Sequence, residues 1–328
     1  MKLSVIVPVY NGAPTLKRCL AALVAALPAG GEIVVVDDAS TDSSSTIAAR
    51  HPVRLVQREV NGGASAARNH GITAADGELL AFVDADVVVR PDALRHLVSA
   101  MSDPARMGAN GLFALDLSTP GRVTAFTNTS IHYQHLRHGA AVASAFTGLC
   151  VLRREALGRM GGFDARTSRF ADDVGTRWHL PPGSIALVAE AQGDHLKAVT
   201  LGGLLRHRRT VGWHFVTSIL DNWGAARARP ETAVLALRYP LNTLAAALTL
   251  AALPVAPFAP IVLVLPVGLL LAANADFVRF TFTHRGPVDA LVALPISALE
   301  GYAYGIGMTL SLADHLRRSL DRAPTSAR

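Results

Sequence analysis

Leu79-Leu80-Ala81-Phe82-Val83-Asp84-Ala85-Asp86 is the stretch on which the reading of this chain turns. Its apolar run is long enough for a buried strand and too short for a helix. Two carboxylates two residues apart then follow. In extended backbone such a pair points one way; at a strand end the chain turns, and each acid can take a separate task. Upstream, Leu3–Pro8, Glu32–Val36 and Val53–Gln57 read as further strands, and Ala13–Leu27 and Ala64–Ala75 as helices. Strands alternating with helices predict an α/β domain, with a parallel sheet covered on both faces and its ligand crevice at the strands' carboxyl ends.

The loops at those ends carry acids. After the strand near Val34–Val36 come Asp37-Asp38-Ala39-Ser40. A carboxylate there can accept hydrogen bonds from a base N–H or from ribose hydroxyls, or it can cap the helix expected near Ser43–Ala49; one acid of the pair can do each. At Asp84 and Asp86 the expected partner is a hard cation, Mg²⁺ or Mn²⁺. Such ions take one or two protein carboxylates and complete their shell with phosphate oxygens and water. A nucleotide diphosphate fits, because charge develops on it as it leaves.

The 328 residues are 50% apolar and only 17% charged, with a net charge of +6 and a mean hydropathy of +0.31. The apolar excess lies late in the chain, so residues 1–225 read as the α/β domain and 226–328 as a membrane region. Leu241–Ala275 is 35 residues without Asp, Glu, Lys or Arg. As one helix it would run about 52 Å, against a hydrocarbon core of about 30 Å. Pro254, Pro257 and Pro260 break it near its middle. A helical hairpin is expected, with spans near 234–253 and 258–275 and a third apolar stretch at 290–313 interrupted only by Glu300. Two spans return the chain beside Arg279 and Arg285, as the positive-inside rule prefers. A third would place Arg317, Arg318 and Arg322 outside, so either that stretch lies in the interface or re-enters, or the rule fails here. No signal peptide is visible, and the N-terminal domain is expected to face the cytoplasm at the cytoplasmic membrane. Cys19 and Cys150 are read as buried thiols. The positive charge suits membrane lipids or phosphorylated substrates; without an accompanying motif, nucleic acid is not expected.

Four stretches together resemble the family 2 glycosyltransferases and their GT-A, Rossmann-like nucleotide-sugar-binding fold. They are Val5-Ile6-Val7-Pro8-Val9-Tyr10-Asn11, Val35–Asp42, Asn61–Ile72 with its Ala67-Arg68-Asn69, and Gly77–Asp86. The resemblance implies that Pro8, Tyr10 and Asp38 line the nucleoside pocket. It implies that Arg68 approaches the nucleotide, that Asp84 contacts the ribose side and that Asp86 contacts the metal. Phe146–Asp164 is similar to the family's segment before its acceptor-side acids. In Phe170-Ala171-Asp172-Asp173-Val174, Asp172 stands where the family usually has Glu, and Asp173 keeps the position of the catalytic base. Chemically, inversion needs one carboxylate to take the acceptor's proton, and a neighbouring acid can raise its pKa. His195 falls where many GT-A enzymes have a third metal contact, and imidazole suits Mn²⁺ better than Mg²⁺.

Other features are weaker. His132, His135 and His138 recur every third residue on an expected helix and read as a solvated or acceptor-facing surface rather than a metal site. Arg206-His207-Arg208-Arg209 can hold an anionic lipid carrier or serve only as a positive flank. A Gln-x-x-Arg-Trp signature of processive synthases is absent: Gln192 lacks the following Arg-Trp, and Arg177-Trp178 lacks the Gln. The loop Val9–Pro14 has no Gly-rich, basic run of the kind a nucleotidyltransferase needs. The expectation is an inverting, metal-dependent enzyme that moves a sugar from a nucleotide diphosphate sugar donor to a lipid-linked acceptor. Transfer to a soluble glycan, with the helices as anchor only, and a non-catalytic membrane assembly protein are the competing readings.

Overall fold

Strands β1 (Leu3–Val9) and β4 (Leu79–Val83) bury apolar side chains on both faces, so the sheet they form must be covered on both sides. In the computed structural model, which describes residues 1–115, 119–138, 144–164, 176, 179–221, 223–224 and 238–321, two apolar layers do this. On one side Val5, Val7 and Val9 meet Leu16, Leu20 and Leu23 of helix α1 (Ala13–Ala26). On the other, Ile6, Val34, Val36 and Phe82 meet Ala67 of α3 (Ala64–Ala74) and Phe163.

The remaining elements of this unit are β2 (Glu32–Asp37), α2 (Ser44–Ala48), β3 (Arg54–Gln57), β5 (Val87–Val89), α4 (Ala93–Ala100) and β6 (Gly108–Phe113). After them come α5 (Arg122–His138), β7 (Leu149–Arg153), α6 (Arg154–Met160) and β8 (Ile185–His195). They make an eight-stranded sheet in the order β3-β2-β1-β4-β7-β6-β8-β5. The four strands expected from the sequence pair in parallel. The other half corrects the expectation of a wholly parallel sheet: β7 runs antiparallel to both β4 and β6, and β5 antiparallel to β8. Arg154 anchors the end of β7, donating to the carbonyls of Ile72, Ala75 and Gly77 at 3.0, 2.7 and 2.9 Å. A cation there also suits the carboxyl end of α3.

The chain divides into two compact units, Met1–Ala198 and Val199–Arg328. The boundary precedes the expected one near 225 because α7 (Leu201–Asp221) packs on the last helix. The second unit continues with α8 (Arg238–Ala252), a 3₁₀ turn at Pro260–Leu263, α9 (Val264–Arg285) and α10 (Pro287–Asp321). The prolines at 254, 257 and 260 lie between α8 and α9, where the hairpin turn was expected; residues 234–237 of the first expected span lie outside the described residues. Pro260–Arg285 and Pro287–Arg318 are long and apolar enough to cross a membrane.

Small residues let these helices approach. A Cβ on Gly307 would lie 1.9 Å from the Arg209 carbonyl oxygen, and one on Gly212 would lie 2.1 Å from that of Tyr304. Glu300, the one acid in the third apolar stretch, is buried and paired with Arg208 of α7 at 2.5 Å. Asn242 and Asn274 join α8 to α9, with Asn274 Nδ2 donating to Asn242 Oδ1 at 2.7 Å. Gly307→Val should cost about 2 kcal/mol or more, because backbone itself must move. In detergent, its thermal midpoint should fall clearly below wild type, while Gly268→Ala, with nothing within 4 Å of the new methyl, should not. Equal midpoints for wild type and Gly307→Val would contradict this packing.

Candidate active site

β4 ends in a turn closed by the Val87 N–H donating to the Asp84 carbonyl at 3.0 Å. The turn sends the chain into β5, whose register on β8 sets Val87 opposite His195. Asp86, one residue earlier, thereby meets a side chain more than a hundred positions away. Its Oδ2 lies 3.7 Å from His195 Nε2. The imidazole is held on two sides: it stacks on Phe113 with centroids 4.5 Å apart, and Nδ1 is 2.9 Å from Oδ1 of Asn128, a fully buried residue of α5. In the tautomer that donates Nδ1–H to Asn128, Nε2 turns a lone pair toward Asp86. Two electron-pair donors then face one another across a gap too long for a hydrogen bond, a donor set that fits a divalent cation.

Asp84 is placed differently. It accepts from Nη2 of the buried Arg68 at 2.8 Å, and the guanidinium carbon lies 5.9 Å from the centre of the Phe163 ring. Burial raises the Asp84 carboxyl above its ordinary range; Arg68 opposes this and Asp86 adds to it. For Asp86, burial also disfavours charge; His195, when it carries a proton on Nε2, and Lys197 together outweigh this and hold the carboxyl below its usual value. Of the two acids, Asp86 is therefore the more readily ionised, and Asp84 is engaged with Arg68. Burial, with Asp86 and Asp84 behind it, pushes the Cys19 thiol far up and keeps it neutral.

These acids floor a cleft of about 480 Å³ at the carboxyl ends of β1, β2 and β4, within the range of small-molecule sites. Its walls include Pro8, Tyr10, Asn11, Asp38, Asn61, Gly63 and Lys197. Its two strand-end loops are stapled together. Asn11, in the left-handed region at φ 51°, accepts from the Thr41 N–H at 2.8 Å, and Asp42 accepts from the Ala13 N–H at 3.0 Å. Asp38 accepts from the amides of Gly62 and Gly63, the latter at 2.7 Å, and from Arg58. Its carboxylate thus shapes the wall by holding the loop before α3. Neither acid of the Asp37-Asp38 pair occupies the N-cap of α2, which is Ser43; Asp37 accepts from the Ser40 N–H and the Ser45 hydroxyl.

Of the residues expected at the site, Pro8, Tyr10, Asp38, Asp84 and Asp86 line the cleft, Arg68 lies behind Asp84, and His195 adjoins Asp86. Asp172 and Asp173 lie outside the described residues. Two contributors were not expected. Lys197 brings a cation to the cleft beside Asp86, and its only sequence signal is a basic residue two places after His195. Asn128 had none, because its role depends on α5 reaching β8. Asn69 is a further support: it makes reciprocal hydrogen bonds with Phe163, at 2.7 and 2.9 Å, fixing the chain just before the segment that carries Asp172 and Asp173. The surface reading of the spaced histidines is corrected in part. His132 is buried and its Nδ1 lies 2.7 Å from the Phe113 carbonyl oxygen, while His135 Nδ1 lies 2.7 Å from that of Ile131. No group of three or more metal-ligating side chains occurs among the described residues.

A doubly covered sheet with acids at the carboxyl ends of its parallel strands, closed on a mixed half that supplies a histidine, defines the GT-A class of nucleotide-sugar-binding folds. Residues 4–159 match the family described as Glycosyl transferase family 2. Over 103 residues the chain is 41% identical to the uncharacterized glycosyltransferase YibD of Escherichia coli, covering 30% of each protein. Over 96 residues it is 41% identical to the succinoglycan biosynthesis protein ExoO of Rhizobium meliloti, covering 28% of each. The matched part is thus under a third of these relatives' length. The mannosyltransferase PcManGT of Pyrobaculum calidifontis, solved in complex with GDP-Man and Mn²⁺, shares the fold. The likeness has a TM-score of 0.59 at 22% identity and covers 95% of this chain and 87% of that one.

If Asp86 and His195 hold a divalent cation, Asn128→Ala, which frees the His195 ring, should weaken Mn²⁺ binding about ten- to a hundredfold. Mn²⁺ titration followed by electron paramagnetic resonance, with UDP or GDP present, reads this directly. Unchanged affinity would leave Asn128 as packing alone. Lys197→Ala should raise the Kd for the nucleotide diphosphate about tenfold, roughly 1.4 kcal/mol, as measured by calorimetry with Mn²⁺ present.

Proposed function

We propose that the chain is an inverting glycosyltransferase that takes a sugar from a nucleotide diphosphate donor, with a divalent metal, and delivers it to a lipid-linked acceptor at the cytoplasmic face of the membrane. The observation that carries the reading is Asp86, which lines with Lys197 a cleft walled by the strand-end loops and faces His195 behind it. Asp86 and His195 would hold the metal, which supplies positive charge to the departing diphosphate. Lys197 adds a second positive charge on the same side. Tyr10, half exposed at the cleft wall, offers its ring to the base, and Asn61 and the 62–64 backbone bound the nucleoside. Arg68 keeps Asp84 oriented at the cleft floor for the ribose side. Asp173 is proposed as the base that takes the acceptor's proton, with Asp172 beside it; for a phosphate acceptor little base catalysis is needed, and Asp173 would orient it.

The membrane part of the reading is supported by the second unit. Phe258, Ile261, Val264, Leu265 and Leu271 are exposed around the turn before α9 and along it, and water is a poor solvent for such a surface. Arg279 and Arg285 at the far end of α9 suit the cytoplasmic side.

The test is release of nucleotide diphosphate by the detergent-purified full chain from UDP-, GDP- and dTDP-sugars, with Mn²⁺, Mg²⁺ or EDTA, and with or without membrane lipid extract. Release should require metal, rise with lipid extract, and fall at least a hundredfold in Asp86→Ala and Asp173→Asn. Binding of no nucleotide sugar would overturn the reading. Turnover with soluble glycans alone would overturn the lipid-linked part, and binding without turnover in the presence of every acceptor would favour a non-catalytic role.

A further inference from the structure

The arginines of α7 divide into two kinds. Arg208 is buried and paired with Glu300, so it belongs to the helix packing. Arg206 and Arg209, one turn apart on the same helix, are exposed and form no ion pair among the described residues. Both flank a groove of about 510 Å³ between α7 and α10 whose remaining lining includes Leu205, Leu299, Tyr302 and Ile306. Leu299 is 38% exposed and Ile306 53%, so the groove is open along an apolar wall. An apolar trough with two cations at its edge is complementary to one kind of ligand: an amphiphile with an anionic head.

The depth of the groove in a membrane follows from the same residues. α7 and α10 run in the same direction, as the contacts Arg208–Glu300, Gly212–Tyr304 and Thr217–Ser311 require. Arg206 and Arg209 therefore lie alongside residues 299–306, the middle of the last apolar stretch. If that stretch crossed the bilayer, two exposed guanidinium groups would sit in hydrocarbon, which is costly. Lying at headgroup depth, the helix pair keeps both cations in the polar zone and turns Leu299 and Ile306 toward the acyl region. This answers the conflict between the third apolar stretch and the basic residues after it.

We infer that the α7–α10 groove is a binding site for a phosphate-headed lipid, with Arg206 and Arg209 holding the phosphate and Leu205, Leu299, Tyr302 and Ile306 the first part of the chain. The inference rests on the proposed lipid-linked acceptor and gives it a place. A free phosphate would leave the apolar wall unused, and an uncharged lipid would leave the arginines unused.

The test uses the full chain in a nonionic detergent, with farnesyl monophosphate, farnesol and inorganic phosphate as separate probes read by microscale thermophoresis. Farnesyl monophosphate should bind at least tenfold more tightly than either of the others. R206A/R209A should weaken it at least tenfold and leave farnesol unchanged, and Ile306→Asp should weaken both. Nucleotide binding in the N-terminal cleft, measured on the same samples, shows that each variant is folded. Equal binding of farnesyl monophosphate by wild type and R206A/R209A would overturn the site, as would inorganic phosphate binding as tightly as the lipid. The two readings fail separately. Farnesyl monophosphate bound as expected, with no sugar transfer from any donor, keeps the groove and removes the transferase. Transfer to lipid extract at full rate in R206A/R209A keeps the transferase and removes the groove.

Discussion

The pairing of a three-residue strand, Val87–Val89, with the end of β8 is the constraint on which the candidate site depends. The turn at Asp84–Val87 leaves the central strand β4 and delivers the chain to the far edge of the sheet. There the antiparallel register sets Val87 against His195. The pairing is short, but Leu196 extends it by donating its N–H to the Asp86 carbonyl at 2.8 Å. A slip of one residue would turn His195 to the other face of the sheet and separate it from Asp86. The facing of Asp86 and His195 is therefore a product of sheet register more than of local sequence.

The same turn accounts for the divergence of the two acids. Asp84 is still within reach of α3, where Arg68 pairs with it; Asp86, at the end of the turn, faces β8. Burial opposes ionisation at both positions, yet their neighbours set opposite outcomes, Asp84 raised and Asp86 lowered. Arg68 also packs near Phe163, and the next residue, Asn69, binds the Phe163 backbone. One helical turn of α3 thus supports both the cleft floor and the backbone at Phe163.

In the second unit the physical problem is reversed: polar groups must be hidden within apolar helices. Arg208 with Glu300, and Asn242 with Asn274, solve it by pairing across helices. Such pairs contribute more to which helices meet, and in what register, than to net stability. Gly212, Gly301, Gly305 and Gly307 remove the side chains that would keep the backbones apart, the packing familiar from helices in lipid.

What the sequence determined by itself is the part that depends on short-range pattern. Apolar runs placed β1 to β4, the proline cluster placed the break between α8 and α9, and strand-end acids located the cleft, because each depends on neighbours in the chain. Tertiary structure alone decided what depends on register and on reach between distant segments. It reversed β7 between β4 and β6, set Asp38 to holding the 62–63 loop, and brought Lys197 and Asn128 to the site. It also moved α7 out of the sheet domain and onto α10. No local pattern could indicate these, since each is settled by which strand or helix lies opposite, and that choice is made by the packing of the whole unit.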